Sequence, residues 1–219
     1  MKNIAVLFAK APRLGQVKRR LAADLGDRLA YRFHTQLLFR RLRQLSREKV
    51  FHRRLAVTPD TARLRLPISI LRVGQGQGDL GMRMQRVFQS FPHDRVVLVG
   101  GDIPGMTMAD LRAAFRLLGS ADAVFGPALD GGYWMVGMAP RRPAHPFDKV
   151  RWSTQHALND TIKNFGGKKI RLLRTLRDID TGADYAAWRS SACCLRQSGN
   201  PIILDAPEAE ASARPSCMA

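Results

Sequence analysis

The chain predicts a three-layer α/β/α sandwich around a mostly parallel central sheet. Three observations carry this. Short apolar runs rich in β-branched residues recur, at residues 4–9 and 96–99 above all, as strands buried on both faces of a parallel sheet require. Stretches with apolar residues at helical spacing lie between them. Glycine and proline punctuate the strand ends, where ligands of open α/β sheets bind.

In order, residues 4–9 form the first strand, which runs into a basic loop holding Lys10, Pro12, Gly15, Lys18, Arg19 and Arg20. This loop has no Walker spacing, but its cations and main-chain N–H groups suit phosphates; a plain basic surface loop is the other reading. Asp27 then caps a long helix with Leu29, Phe33, Leu37 and Leu45 inward. Tyr31, His34 and Phe39 on it read as packing or surface residues, and Arg40-Arg41-Leu42-Arg43 as its solvated face. Residues 54–57 and 68–73 are the next strands.

Gly76, Gly78 and Gly81 then match G-x-G-x-x-G, with Asp102 further on, so a dinucleotide-binding fold stands as an alternative. The strand before them is not the first of its sheet, which favours a glycine-rich loop over a nucleotide instead. A helix from Met82 to Phe91 follows. Residues 96–99 lead into Gly100-Gly101-Asp102-Ile103-Pro104, a carboxylate at a strand end beside bare backbone. Asp102 has two readings: ligand of a hard cation and its phosphates, or a turn residue capping local N–H groups. Thr107 and Asp110 make a capping box for the next helix.

Residues 121–126 and 134–138 are strands joined through Asp130-Gly131-Gly132-Tyr133, which is either a hairpin turn or, with Trp134, a wall for a sugar or base. Ser153 or Thr154 caps a helix that reaches Phe165. Residues 169–173 form a late strand. Asp178 and Asp180, if extended, project to one face as two cation ligands would, while Thr181 with Asp184 makes another capping box before a short helix holding Tyr185 and Trp188.

The length, 219 residues, suits one large domain. It is placed over 1–189, with a poorly ordered tail over 190–219 where Ser, Ala, Cys and Pro lose periodicity. No apolar run approaches a membrane span. Cys193, Cys194 and Cys217 form neither a disulfide framework nor a zinc spacing, so a reducing cytoplasm is expected. Against 36 Lys and Arg stand 18 Asp and Glu, a formal charge of +18. Such a field attracts nucleotides, sugar phosphates and polyanions. The arginines are scattered and no nucleic-acid module is visible, so no specific nucleic acid is expected as partner, and binding through the basic surface is the rival of another class. The oligomeric state is not legible.

Several stretches together are similar to one family. They are Phe8-Ala9-Lys10-Ala11-Pro12 with residues 15–21, Gly78-Asp79-Leu80-Gly81-Met82-Arg83-Met84, Gly101-Asp102-Ile103-Pro104, residues 126–133, Trp152-Ser153-Thr154, and residues 177–181. The chain resembles the nucleotide-diphospho-sugar transferase superfamily with its GT-A fold. Within it, the likeness is to bacterial glycosyltransferase-like proteins named for arsenosugar biosynthesis or as radical-SAM-associated transferases. The likeness covers residues 4–188, in order. It implies a nucleotide-sugar or nucleotide substrate and a Mg²⁺ or Mn²⁺ ion. Phe8, Ala9, Lys10, Gly15, Lys18 and Arg20 would meet phosphates; Gln75, Gly78, Asp79, Leu80, Gly81 and Arg83 the nucleotide. Asp102 would ligate the metal with Asp180 or Asp178. Gly131, Gly132, Tyr133, Trp152 and Ser153 would face the acceptor, and Asp130, exposed between glycines, is the candidate second catalytic carboxylate beside Asp102. Arg19 and Gly101 depart from the family's usual Thr and polar residue. The expected activity is metal-dependent glycosyl transfer; the alternative is nucleotidyl transfer with release of pyrophosphate.

Overall fold

The computed structural model describes residues 1–197. In chain order its elements are β1 (Asn3–Lys10), α1 (Arg19–Leu25), α2 (Asp27–Arg47), β2 (His52–Thr58), β3 (Ile70–Val73), α3 (Leu80–Gln89), β4 (Arg95–Gly100), α4 (Met108–Leu117), β5 (Ala123–Pro127), β6 (Tyr133–Met138), α5 (Ala157–Lys163), β7 (Ile170–Leu172) and α6 (Gly182–Gln197). Among the described residues the strands make one seven-stranded sheet in the order β3-β2-β1-β4-β6-β5-β7. All neighbours are parallel except those of β6, which runs against β4 and β5.

The alternation of β4 builds the layers. Val97 and Val99 enter a core with Leu38, Leu42 and Leu45 of α2 and Leu111 and Phe115 of α4. Val96 and Leu98 point the other way, to Met84, Val87 and Phe88 of α3 and to Phe165 beyond α5. A smaller cluster joins Leu21 of α1, Phe33 and Leu37 of α2, and Tyr185 of α6. The α/β/α sandwich is thus the observed fold. None of the described helices is long and apolar enough to cross a membrane.

Element ends differ from the sequence reading in instructive ways. Residues 68–69 are not strand, and Ile68 is fully exposed. Gly26, not Asp27, is the N-cap of α2, with Asp27 inside its first turn. Neither Ser153 nor Thr154 caps α5: His156 holds that position, and Ser153 takes a left-handed φ of 60°. The helix α6 runs on to Gln197, beyond the expected domain end at 189; the remainder of the expected tail, with Cys217, lies outside the described residues.

The largest correction is on α2. Arg41 was expected on a solvated face, yet it is 1% exposed. Its guanidinium donates to the Ile103 and Pro104 carbonyls at 2.5 and 2.8 Å, and to Gln44 at 2.6 Å. Burial, with Arg40 adding to it, pulls its pKa down to about 10. Leu42 beside it is buried in the core, so only part of the basic run meets water.

The segment after β4 is held from its other end by the expected capping box. Thr107 accepts from the Asp110 N–H, and Asp110 accepts from the Thr107 N–H at 2.8 Å. Arg174 donates to both Asp110 oxygens, at 2.7 and 2.8 Å. Burial opposes ionisation of Asp110, but Arg174 and Thr107 outweigh it and hold the carboxyl below its usual range. A depressed folded pKa gives stability that is present above the unfolded value, about 3.9, and lost as pH falls through the folded one. Asp110→Asn should therefore lower stability near neutral pH by about 1 kcal/mol. Melting curves across pH should show the gap to wild type closing in acid.

Candidate functional site

A cavity of about 600 Å³ opens at the rim formed by the ends of β1 and β4. The antiparallel β6 starts where its neighbours finish, so Tyr133 and Trp134 reach the same rim, together with Asp130 and Gly132 of the hairpin. The expected hairpin and the expected wall are one structure: the Ala128 N–H donates to the Gly132 carbonyl at 3.0 Å, and Asp130 accepts from the Gly132 N–H at 2.9 Å.

Lys18, an expected phosphate residue, lies outside the cavity lining but ties two of the lining carboxylates together. It is the N-cap residue of α1, in a left-handed conformation with φ 49°. Its side chain is 4% exposed, and its ammonium lies 3.0 Å from Asp102 Oδ2 and 2.8 Å from Asp180 Oδ1. Each carboxylate turns its second oxygen towards another cationic or titratable group. Asp102 Oδ1 is 3.6 Å from His34 Nδ1, and Asp180 Oδ2 is 4.0 Å from Arg20 Nη1. Burial penalises the charged form of Asp102, but Lys18 and His34 outweigh it and hold the carboxyl well below the usual range. Burial likewise opposes the charge on Lys18, and Asp102 and Asp180 reverse that, leaving its pKa raised. Asp178 is pushed the other way, upward, by burial and by the charges of Asp130 and Asp180.

Of the expected phosphate and nucleotide residues, Phe8, Ala9, Lys10, Leu80 and Arg83 line the cavity. Gly15, Gly78, Asp79 and Gly81 do not. Asp79 instead caps α3, accepting from the Met82 N–H at 2.8 Å. Gly81 packs under Trp152 and Phe147, where a Cβ would meet both. Gln75 lies inside the protein, fully buried. Its amide donates to the carbonyls of Ala9 and Ala56, at 3.0 and 2.6 Å, and so clips the ends of β1 and β2 together; its carbonyl accepts from Arg83. Arg20 is largely exposed and touches the site only through Asp180. Asp102, Asp130, Asp178 and Asp180 all line the cavity, as do Gly132, Tyr133, Trp152 and Ser153; Gly131 does not.

The dinucleotide reading fails on topology. The glycine loop follows the edge strand β3, and β2 and β1 separate it from β4 and Asp102. A dinucleotide fingerprint needs its acid at the end of the neighbouring strand. Arg19, exposed and outside the cavity lining, does not block the site. Gly101 has room for a Cβ, 3.6 Å from that of Ala9, so no close packing demands glycine there.

Sequence reasoning missed His34. It is 6% exposed, lines the cavity, and its Nε2 lies 2.9 Å from the Lys10 carbonyl oxygen. Its signal was spacing: Ala30, Phe33, His34, Leu37, Leu38 and Arg41 form one inward stripe of α2. Thr58 is a further lining residue not singled out, and Trp134, expected as part of a wall, also lines the cavity.

The donor set fits a divalent cation carried by a nucleotide. Mg²⁺ typically takes one or two protein carboxylates and completes its shell with phosphate oxygens and water. Asp102 and Asp180 supply such a pair beside an open cavity. Among the described residues no group of three or more His, Cys, Asp or Glu forms a self-contained metal cage.

Asp102 is placed by its strand and by Arg41, which holds the two carbonyls that follow it. Arg41→Met leaves those carbonyls unpaired and should cost about 1–3 kcal/mol. Urea unfolding measures that loss, and the loosened segment should weaken ligand binding at the cavity as well.

Known proteins share the fold. Curated protein sequences give no match. Solved structures do. One from Desulfovibrio desulfuricans G20, provisionally named nucleotide-diphospho-sugar transferase, is 26% identical, with a TM-score of 0.73 over 90% of this chain and 98% of that one. Rv0371c from Mycobacterium tuberculosis H37Rv, in complex with manganese, is 18% identical, with a TM-score of 0.50 over 87% of this chain and 100% of that one. The 4-diphosphocytidyl-2C-methyl-D-erythritol synthase from Anaerococcus prevotii DSM 20548 is 10% identical, with a TM-score of 0.53 over 87% and 97%. At the sequence level, residues 41–154 match the family described as "Uncharacterized protein conserved in bacteria (DUF2064)", and the chain belongs to that family.

Proposed function

We propose that this chain is a metal-dependent glycosyltransferase that uses a nucleotide-diphosphate sugar, with Mg²⁺ or Mn²⁺ as cofactor. One observation carries the reading: Asp102 and Asp180 converge on Lys18 at a cavity that Tyr133 and Trp152 also line. Carboxylates and aromatic rings lining one cavity suit a donor with a charged diphosphate and a sugar or acceptor ring. The similarity to the nucleotide-diphospho-sugar transferase of D. desulfuricans supports the same class.

A bound divalent cation would offset the charge that develops on the departing diphosphate. The chain's own groups do the rest. Lys10 and Lys18 share that negative charge from the β1–α1 side, and Arg20 adds to the field from the surface. Arg83, over the Phe8 ring at 5.4 Å and fixed to Gln75, gives a held cation inside the cavity. Burial pushes the Tyr133 phenol upward, against a weak contact from Thr161, so it stays neutral and presents its ring and hydroxyl. Asp130, on the hairpin and close enough to Asp178 to raise its pKa, is the candidate to accept the acceptor's proton.

Nucleotidyl transfer is the second reading. Lys10, Lys18 and Arg20 lie along the β1–α1 connection and its two ends, as a triphosphate with pyrophosphate as leaving group would use, and the cytidylyltransferase-type neighbour shares this fold.

A thermal-shift panel separates the two. It holds UDP-, GDP- and ADP-sugars, CTP and GTP, each with and without Mg²⁺ or Mn²⁺. A ligand at 100 times its Kd stabilises by about 2.7 kcal/mol, several degrees for a domain of this size. A metal-dependent shift with one nucleotide sugar supports glycosyl transfer; a shift with triphosphates alone supports nucleotidyl transfer. Asp102→Asn should abolish the metal-dependent shift while leaving the far-UV circular dichroism unchanged. A retained shift in that variant overturns the metal assignment.

A further inference from the structure

Lysine or arginine stands beside three of the four oxygens of Asp102 and Asp180, and His34 beside the fourth. Lys18 faces one oxygen of each carboxylate at 3.0 and 2.8 Å; His34 faces the second oxygen of Asp102, and Arg20 the second of Asp180. Lys18 thus offsets charge on both carboxylates without a metal. The Lys18 ammonium lies between Asp102 Oδ2 and Asp180 Oδ1, in the gap between the two carboxylates that would hold a divalent cation. Mg²⁺ sits about 2.1 Å from its oxygens, so the two cations have no room to share one gap, and they repel.

We propose that Lys18 is an internal counter-cation that keeps the metal position closed to free Mg²⁺ or Mn²⁺, and that yields it only when a phosphate-bearing ligand arrives to receive the ammonium. The reasoning is one of charge replacement. The Lys18 side chain is 4% exposed, and a buried ammonium cannot leave its carboxylates without another anion to meet it. Free metal brings no such anion. A metal–diphosphate complex brings both partners at once: a cation for the carboxylates and phosphate oxygens for the ammonium. Both carboxylates line the cavity and Lys18 does not, so the ammonium must swing past them to meet a phosphate bound there.

The backbone supports an exchange by side-chain rotation alone. Val17 is 3% exposed, and the Lys18 carbonyl accepts from the Ala22 N–H at 2.8 Å, so the main chain is fixed on both sides. The flexible four-carbon stem then carries the charge between partners, as an arginine fork would not. Metal and phosphates would thus bind with positive coupling, each raising the affinity of the other. This inference rests on the reading of the cavity as a nucleotide-phosphate site.

The test is binding of Mn²⁺ alone to the full chain, read by the loss of the free Mn²⁺ signal in electron paramagnetic resonance. Lys18→Met should bind Mn²⁺ alone at least about tenfold more tightly than wild type, because it leaves two carboxylates without their shared cation. The double variant Lys18→Met, Asp180→Asn should lose that gain. Equal affinities in Lys18→Met and wild type overturn the proposal. Wild-type protein with ¹⁵N-labelled lysine gives a second measurement that does not depend on the variant folding. Mg²⁺ alone should leave the Lys18 ammonium resonance unmoved, and Mg²⁺ with inorganic pyrophosphate should shift it. Displacement by Mg²⁺ alone, or no response to Mg²⁺ with pyrophosphate, overturns the proposal. Neither readout uses turnover or a nucleotide sugar. Failure of the glycosyl-transfer reading would show instead as nucleotide sugars without effect on a protein whose Lys18 still responds to pyrophosphate.

Discussion

One buried ammonium holds together three stretches that are far apart in the chain. Lys18 belongs to the loop after β1, Asp102 to the end of β4, and Asp180 to the segment after β7. The Lys18 ammonium, 4% exposed, would be costly to place there alone, since burial disfavours its charged form. Together the three charges offset one another, and the geometry that results is the rim of the cavity. The left-handed backbone at Lys18 and the buried Val17 before it aim the ammonium from one side. The braced segment after β4 aims Asp102 from the other.

That bracing falls to polar side chains that work from inside the protein. Arg41 reaches from α2 to the carbonyls just beyond Asp102, and Gln75 clips the ends of β1 and β2 behind the cavity floor. Strand ends at a ligand-binding rim leave carbonyls without ladder partners, and such groups must be paired when buried. A long arginine and a short amide meet that need where the sheet cannot. The reversed strand β6 completes the arrangement, bringing its first residues and its hairpin to the same edge as the ends of β4 and β5.

The layering of the fold was legible because strand and helix periods separate cleanly in this sequence. Val96 to Val99 alternate between two cores as a buried strand must. Asp102, Asp130, Asp178 and Asp180 were legible because glycine, proline and strand ends surround them, and all four meet at the cavity. His34 and Arg41 were not, because a polar residue on a helix reads as solvent-facing unless its place in the inward stripe is given more weight than its polarity. Gln75 misled in the opposite sense. A glycine-rich loop advertises ligand contact, whereas the amide there satisfies backbone carbonyls. The cap of α5 was misplaced because Ser153 and Thr154 have the right chemistry one turn too early, with Ser153 in a left-handed bend before the helix starts.

The position of Asp178 and Asp180 also sets when the site comes into being. They follow β7, and α6 fastens the chain just beyond them: Phe33 of α2 meets the rings of Tyr185 and Trp188 at 5.4 and 5.6 Å. Translation delivers β1, β4 and Asp102 first, and domains consolidate as the chain emerges. The polypeptide can thus pair most of its sheet on the ribosome while Lys18 still lacks one of its two carboxylates. The ion-paired rim can be completed only once the chain beyond β7 has been made and Asp180 is available to Lys18.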